Sequence, residues 1–211
     1  RDQVATSFES AGGGLGGVRW QLPTKARNLV ELTCYSTDES LEHITRMAEL
    51  GYGLASELGL PEDKCHAVVQ GAALHDIGKA AIPREVCLGE RELSCREEAL
   101  FKLYPEIGAN LIANLGMDEA VVNALRHCRE RWDGTGYPQG LKGDEIPMEA
   151  AILAVSDYYD VLLYPRDGEK PRTVEEALQE MENYSGACFN PLVVEKLREI
   201  AARGFPLVRR R

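Results

Sequence analysis

The stretch from Pro61 to Lys79 reads PEDKCHAVVQGAALHDIGK. Pro61 suits the start of a helix, and the small and apolar residues after it predict a helix that runs toward His75 and Asp76. Gly78 indicates that this helix ends close to the pair. An imidazole next to a carboxylate suits a first-row divalent metal ion, and a histidine that only hydrogen-bonds its neighbour is the alternative. The His75-Asp76 pair therefore becomes a site only if other ligands join it.

The helical pattern continues on both sides of this stretch, and no alternating run of useful length predicts a β-strand. We therefore predict an all-α fold. Capping boxes are predicted at Ser36-x-x-Glu39, Ser94-x-x-Glu97 and Thr173-x-x-Glu176. Further helices are predicted from Pro61 toward His75, from Pro105 to Gly116, from Asp118 to about Trp132, from Pro147 to Tyr164 and from Asn190 to just before Gly204.

The composition is that of an ordinary globular domain, with 44% hydrophobic and 27% charged residues among 211. The formal net charge is -10. An acidic surface repels nucleic-acid backbones, so non-specific nucleic-acid binding is excluded as a function. A phosphate ligand must instead be attracted by a local cationic cluster or by bound metal cations.

The chain divides into a flexible Gly-rich segment (1–27), one domain (28–205) and a basic tail (206–211). The six cysteines form no C-x-x-C pair, which argues against a zinc ribbon or a disulfide scaffold. Reduced thiols in a cytoplasmic protein are expected instead. No apolar run reaches membrane-spanning length, and no signal peptide opens the chain.

Other side chains along the chain can join His75 and Asp76. His43 follows Glu39 by four residues, so both leave the same face of a helix. Asp157 interrupts an apolar helix, where a buried carboxylate is costly unless it ligates a metal or forms a buried salt bridge. His43, His75, Asp76 and Asp157 together supply two nitrogens and two oxygens, the mixture expected of a hydrolytic metal centre.

The order of these ligands resembles the HD superfamily of metal-dependent phosphohydrolases. The run from Trp132 to Leu141, WDGTGYPQGL, followed by Gly143 and Ile146-Pro147, closely resembles the signature loop of HD-GYP domains. We call residues 132–143 the GYP loop. Further matches are Tyr104-Pro105-Glu106-Ile107-Gly108, Val155-Ser156-Asp157-Tyr158-Tyr159-Asp160 and Phe189-Asn190-Pro191. The resemblance extends over about residues 36–200 and implies an HD-domain helical bundle with a GYP loop.

The resemblance implies hydrolysis of a phosphodiester in cyclic di-GMP or a related cyclic dinucleotide at a site of divalent iron or manganese, with magnesium or zinc as alternatives. It implies metal ligation by His43, His75, Asp76 and Asp157, catalytic roles for Asp76 and Lys79, and substrate binding by Gly136, Tyr137 and Arg166. Glu39 is added as an extra candidate ligand from its spacing to His43. Arg129 and Lys170, which lie where the chain departs from the family, are further candidates for phosphate binding. The resemblance also implies that the GYP loop contacts a diguanylate cyclase (GGDEF) domain protein. A homodimer is a further expectation.

The chain departs from the family pattern at three ligand positions. The His-Pro motif of the family appears here as Tyr104-Pro105, and its His-His-Glu run appears as Cys128-Arg129-Glu130. Cys128 is able to ligate a metal ion only as a thiolate, and Tyr104 is a poor substitute for histidine. Arg129 places a permanent positive charge where a cation is expected, so we predict about one ion per chain, with the guanidinium in place of another.

The phosphate-binding segment also differs. The family's Arg-Pro-Tyr-Arg appears as Arg166-Asp167-Gly168-Glu169, followed by Lys170. Arg166 survives and Glu169 reverses the sign of the second contact, while solvated surface charge is the alternative for Arg166 and Lys170. Three functions therefore stay open: a phosphodiesterase with a reduced metal site, an inactive nucleotide sensor or interaction module, and a phosphohydrolase of another nucleotide.

Overall fold

The computed structural model describes residues 24–37, 40–87, 91–165 and 169–204, and these ranges contain helices but no β-strand. The predicted all-α fold is confirmed. The helices are α1 (Thr24–Thr37), α2 (Leu41–Glu57), α3 (Glu62–Leu74), α4 (Arg84–Cys87), α5 (Cys95–Phe101), α6 (Tyr104–Asn114), α7 (Glu119–His127), α8 (Met148–Leu163), α9 (Val174–Asn183) and α10 (Pro191–Ala202). Two 3-10 turns lie at Ile77–Ala81 and Gly143–Glu145.

Most helix starts agree with the sequence signals. Complete capping boxes at Ser94 and Thr173 begin α5 and α9. Pro61 precedes α3, Asp118 caps α7, Pro147 precedes α8 and Asn190 caps α10. These caps satisfy backbone N–H groups that have no partner inside the helix, which is why the short polar residues mark the starts so well.

The predicted capping box at Ser36 is wrong. Helix α1 continues through Ser36 to Thr37, and the next helix begins after Ser40. Ser40 has an extended backbone, and its side chain accepts a hydrogen bond from the backbone N–H of His43 at 3.1 Å. Two helices therefore occupy the region where the sequence predicts one start, and Glu39 lies outside the described residues.

Helix α1 begins at Thr24, inside the segment predicted to be flexible. The Gly-rich stretch from Ser10 to Gly17 and the basic tail from 206 to 211 lie outside the described residues. The proposed segment boundaries at residues 27 and 205 therefore remain predictions. Within the described ranges, no helix is both long enough and apolar enough to cross a bilayer.

Helix α7 is shorter than predicted, because it ends at His127 rather than near Trp132. The chain leaves the helix at Cys128, and the backbone N–H of Tyr137 then returns to the Arg129 carbonyl at 3.1 Å. A β-carbon at Gly136 would overlap the backbone of residues 130 and 131, so only glycine allows this close return. Residues 128–130 consequently lie at a helix end rather than on a helix face.

Helices α2, α3, α7 and α8 pack against one another and enclose the main core. Gly51 and Gly71 let neighbouring helices approach closely, since a β-carbon there would lie 2.7 Å from Val68 and 2.8 Å from Leu153. Helix α8 is buried along most of its length. The end of α3 and the middle of α8 therefore meet inside the bundle, where α2 covers them.

Candidate functional site

Three of the predicted ligands converge from three different helices. His43 lies in the first turn of α2, His75 at the end of α3, and Asp157 in the middle of α8. Each offers one ligand atom, and these atoms all lie within 4.8 Å of one another. All three residues are buried. In the part of the chain that the structure describes, they form the only such group of His, Cys, Asp and Glu side chains.

The ring of His43 is oriented by a carboxylate behind it. Its Nδ1 lies 2.7 Å from Oδ2 of Asp160, which is one helical turn after Asp157 on α8. Arg46 contacts the same carboxylate twice, at 2.5 Å and 2.8 Å. Because an ionised carboxylate only accepts, Nδ1 carries the proton and the neutral ring keeps its lone pair on Nε2. That Nε2 lies 3.4 Å from Oδ1 of Asp157.

The ring of His75 is oriented in the same sense by a backbone group. Its Nδ1 lies 2.9 Å from the carbonyl oxygen of Ala72. A carbonyl oxygen cannot donate, so Nδ1–H is the donor and Nε2 again carries the lone pair of the neutral ring. This Nε2 lies 3.5 Å from Oδ1 of Asp76. Histidine ligands of metals are held in this way, with the other ring nitrogen donating to an oxygen.

The donor set fits a divalent metal ion. Two imidazole Nε2 atoms and one carboxylate oxygen meet in a buried place, and both rings have the tautomer that ligation needs. Asp76 lies beside these three residues: its Oδ2 pairs with Lys79, and its Oδ1 lies 3.5 Å from Nε2 of His75. Ligation by Asp76 therefore remains a prediction, and so does ligation by Glu39.

Asp76 and Lys79 form a tight pair at the 3-10 turn after His75. Lys79 Nζ lies 2.5 Å from Asp76 Oδ2, and the ammonium group lies 5.1 Å from the ring centre of Tyr104. Gly78 permits this arrangement, since a β-carbon there would overlap the carbonyl oxygen of Tyr104. The turn therefore lies directly against α6, which brings the predicted catalytic pair and the altered position 104 together.

Arg129 lies at the positions where the family has metal ligands. Its Nη1 is 2.6 Å from Asp157 Oδ2, and its Nη2 is 3.9 Å from Asp76 Oδ1. Its Nε donates to the hydroxyl of Tyr104, which is completely buried. The side chain of Arg129 keeps 29% of its surface exposed. One guanidinium thus links both aspartates and Tyr104 while one side faces solvent.

The charges of this cluster stabilise one another. Burial alone would raise the pKa of Asp157, but the positive charge of Arg129 holds it well below its usual range. Burial opposes the charge of Arg129, yet its neighbours Tyr104 and Asp157 raise its pKa well above the ordinary value. Asp157 is therefore an anion and Arg129 a cation at neutral pH.

The other two altered positions are neutral at physiological pH. Burial raises the pKa of Cys128 to about 12, and Asp76 and Asp157 act in the same direction. Burial also raises the pKa of Tyr104 well above its usual range. The Cys128 thiol is therefore protonated in the absence of a metal ion, and its side chain belongs to the apolar core around α8.

The GYP loop is anchored by a buried carboxylate that follows Arg129. Glu130 accepts hydrogen bonds from the backbone N–H groups of Gln139 at 2.8 Å and Leu141 at 3.1 Å. The loop is also tied to the segment before α10, because the N–H of Asp133 donates to the Ala187 carbonyl at 2.8 Å. Tyr137 is half-buried, and burial raises the pKa of its hydroxyl while Arg129 opposes that shift.

The remaining predicted contacts lie away from the metal ligands or outside the described residues. Lys170 is exposed and precedes α9, and nothing in the structure connects it to His43, His75 or Asp157. Arg166 lies outside the described residues. Substrate binding by Gly136, Tyr137, Arg166 and Lys170 therefore stays a prediction.

Sequence reasoning missed three residues that position the site, namely Arg46, Asp160 and Glu130. Arg46 follows His43 by three residues, and Asp160 follows Asp157 by three, so each pair lies on one helix face. A charged residue one turn from a candidate ligand was the available signal. Nothing local to the sequence shows that Arg46 and Asp160 meet across the bundle.

Comparisons with known proteins agree with this architecture. A family model described as "HD domain" matches residues 26–193. The chain is 38% identical over 164 residues to the cyclic di-GMP phosphodiesterase response regulator RpfG of Xanthomonas campestris. The aligned region covers 76% of this chain and 42% of that protein. It is 36% identical over 167 residues to a cyclic di-GMP phosphodiesterase of Thermotoga maritima, with 78% and 45% covered. The chain thus spans less than half the length of these relatives.

Solved structures show the same fold at lower identity. A cyclic GMP-AMP specific phosphodiesterase of Vibrio cholerae, V-cGAP3, superposes with a TM-score of 0.63 at 24% identity, covering 84% of this chain and 48% of that chain. The PgpH HD domain of Listeria monocytogenes, in complex with cyclic-di-AMP, superposes with a TM-score of 0.60 at 13% identity, covering 87% and 99%. The chain therefore belongs to the HD-domain family, and its resemblance to HD-GYP domains is confirmed.

Proposed function

We propose that this chain is a metal-dependent phosphohydrolase of HD-GYP type that cleaves a phosphodiester of cyclic di-GMP or a related cyclic dinucleotide at a reduced metal site. The observation that carries the proposal is the convergence of His43, His75 and Asp157 within 4.8 Å, with both imidazoles held so that Nε2 faces the group. The names of the relatives support the substrate class.

His43, His75 and Asp157 would hold one divalent ion, iron or manganese in preference to magnesium or zinc, and Asp76 would join them through Oδ1, which lies 3.5 Å from His75 Nε2. Such an ion supplies Lewis acidity to a phosphoryl oxygen and to the attacking water. Lys79 and Arg129 would then stabilise the oxygens that gain negative charge, because both cations border the ligand group. Arg129 keeps an exposed side from which a phosphate can be reached.

Arg129 takes the electrostatic role of an absent second ion in this proposal. Its guanidinium contacts Asp157, lies near Asp76 and donates a hydrogen bond to the Tyr104 hydroxyl. A guanidinium can bind phosphate and neutralise its charge, but it cannot activate water as a bound metal ion does. Turnover slower than that of a two-ion site follows from this difference.

A second function is favoured by the same residue. If the Arg129–Asp157 pair leaves too little Lewis acidity for chemistry, the chain binds a cyclic dinucleotide as a sensor or interaction module without turnover. A GGDEF-domain protein at the GYP loop and a homodimer are the partners proposed for that case. Co-purification with a GGDEF domain, and the mass of the purified chain in solution, test these two partners directly.

One experiment separates the two functions. The protein is incubated with cyclic di-GMP, 3'3'-cGAMP or cyclic-di-AMP in the presence of Mn²⁺ or Fe²⁺, and both product and bound nucleotide are measured. Turnover that His75→Ala abolishes and His66→Ala preserves supports the enzyme, since His66 lies on the outer side of α3 beside Glu62. Tight binding without product supports the sensor. Neither binding nor product with any of the three dinucleotides overturns the assignment and points to another nucleotide.

A further inference from the structure

Each of the three buried aspartates at the site already has an arginine or lysine side chain in contact with it. The pairs are Asp76 with Lys79 at 2.5 Å, Asp157 with Arg129 at 2.6 Å, and Asp160 with Arg46 at 2.5 Å. The side chains of these aspartates are at most 12% exposed. Ion pairs at this depth are only weakly screened by solvent and salt. A divalent ion that enters the site is therefore repelled by the cations that already pair with these carboxylates.

Arg129 and the ion would share one carboxylate. Oxygen Oδ1 of Asp157 lies toward His43 Nε2 at 3.4 Å, and oxygen Oδ2 is bound to Arg129 Nη1 at 2.6 Å. An arginine guanidinium is a permanent cation, so it cannot lose its charge to relieve the repulsion between itself and the ion. It is also held at its other end by Tyr104. The ion and the guanidinium are thus fixed on opposite oxygens of the same group.

An anion that contacts both cations would remove this repulsion. Both cations can be reached from solvent, because 29% of the Arg129 side chain and 15% of the Lys79 side chain remain exposed. A phosphate oxyanion matches the planar donors of arginine and the point charge of lysine. The same oxyanion is a hard oxygen ligand for Mn²⁺ or Mg²⁺.

We propose that the site binds its divalent ion and a phosphate oxyanion as a coupled pair, and that Arg129 sets the strength of this coupling. The inference rests on the proposed metal site and deepens it. Coupling between two ligands is reciprocal, so phosphate must strengthen ion binding by the same factor as the ion strengthens phosphate binding. Arg129 weakens binding of the ion in the absence of phosphate, and phosphate that contacts Arg129 offsets this effect. A neutral side chain at this position would neither repel the ion nor attract the phosphate.

Manganese titrations measure this directly. Chelator-stripped protein, checked by circular dichroism, is titrated with Mn²⁺ in chloride or in inorganic phosphate at equal ionic strength, and free Mn²⁺ is read from its paramagnetic resonance signal. In the wild-type chain phosphate is expected to tighten Mn²⁺ binding by at least about tenfold, within the usual range of such couplings. Arg129→Gln is expected to bind Mn²⁺ more tightly in chloride and to respond to phosphate by less than about threefold.

Two further variants separate charge from folding effects. Arg129→Lys keeps the positive charge and is expected to keep most of the phosphate response. Arg126→Gln is the matched control, because Arg126 lies on α7 and contacts only the side chain of Asn110 among the hydrogen bonds found for it. An equal Mn²⁺ affinity in chloride and phosphate, or an unchanged phosphate response in Arg129→Gln, would overturn the inference. Loss of the response in Arg129→Lys would also overturn it, because the charge would then not be its cause.

A third titration separates this inference from the proposed function. A hydrolysis-resistant phosphorothioate analogue of cyclic di-GMP replaces inorganic phosphate. If both anions tighten Mn²⁺ binding, the coupling and the substrate class are supported together. If inorganic phosphate acts and the analogue does not, the coupling stands and the cyclic-dinucleotide function fails. If Mn²⁺ does not bind under any condition, both fail.

Discussion

Arg129 Nη1 lies 2.6 Å from Oδ2 of Asp157, whose other oxygen lies toward His43. A residue that the family does not have at this position is therefore joined directly to a residue of the ligand group. The neighbouring Tyr104 hydroxyl and Asp76 complete the surroundings of the guanidinium. Although three histidines expected from the family pattern are absent, the buried aspartates Asp76 and Asp157 each have a cationic side chain as partner.

The first prediction concerns metal content. Wild-type protein is expected to hold about one tightly bound ion per chain, and His43→Ala, His75→Ala and Asp157→Ala are each expected to lose it, because each removes one of three converging donors. Inductively coupled plasma mass spectrometry after desalting measures this. His66→Ala is the control and is expected to keep the ion. Two or more tightly held ions in the wild-type chain would contradict the role given to Arg129.

The second prediction restores the family ligands. The triple variant Tyr104→His, Cys128→His, Arg129→His is expected to raise the metal content above one ion per chain, because three imidazoles replace a fixed cation and two neutral groups. The matched control Tyr104→Phe, Cys128→Ala, Arg129→Gln removes the same groups without adding ligands. Equal metal content in the two triple variants would show that these positions do not form a second site.

The third prediction concerns the residue behind His43. Asp160→Asn is expected to weaken Mn²⁺ binding by about 10- to 100-fold, the usual effect of losing the partner of a metal-bound histidine. The carboxylate accepts hydrogen bonds from the His43 ring and from Arg46 on two different oxygens, whereas the asparagine amide has only one acceptor oxygen. Titration with Mn²⁺ measures the change, and Asp63→Asn on the exposed side of α3 is the control. Unchanged affinity in Asp160→Asn would show that His43 needs no such partner.

The fourth prediction concerns the GYP loop. Glu130→Gln is expected to lower the free energy of unfolding by about 1–3 kcal/mol, because a buried carboxylate that accepts two backbone N–H groups becomes an amide with one acceptor oxygen. Urea denaturation measures the loss. Asp144→Asn changes an exposed residue of the same region and is expected to stay within about 0.5 kcal/mol of the wild type. Equal stability of the two variants would remove Glu130 as the anchor of the loop.

The fifth prediction is a pH dependence of stability. Burial lowers the pKa of His127, although Glu130 at 3.6 Å acts in the opposite direction. Below the unfolded-state pKa of about 6.5 the unfolded chain takes up a proton that the folded chain does not, so stability is present above that pH and falls as the pH drops through and below it. The slope from this group is at most about 1.4 kcal/mol per pH unit.

Urea denaturation between pH 7.5 and pH 5.5, with chelator present, tests the sign. The loss of stability on acidification is expected to be smaller in His127→Gln than in the wild-type chain. His66→Gln is the matched control and is expected to behave as the wild type. An equal or larger loss in His127→Gln would contradict the lowered pKa of His127 in the folded chain.

Local signals predicted most of the helices correctly because caps and breakers act over a few residues. Ser94, Asp118, Thr173 and Asn190 each satisfy N–H groups within one turn of themselves. The predicted helix boundaries were wrong where contacts with residues distant in the chain determine the backbone conformation. Helix α7 ends at His127 because the GYP loop folds back onto Arg129 and Glu130. No helix-ending signal close to His127 predicts this end.

The sequence by itself determined the all-α class, the HD-GYP resemblance and the choice of His43, His75 and Asp157 as candidate ligands, because local patterns and side-chain chemistry can be seen residue by residue. Only the tertiary structure decided that Asp160 and Arg46 lie behind His43, that Asp76 turns to Lys79, and that Arg129 shares Asp157 with the ligand group. The contacts of Asp160, Arg46 and Arg129 join helices far apart in the chain, so the packing of the bundle decides which partner each buried charge meets. Asp76 and Lys79 are three residues apart, and the local 3-10 turn brings them together.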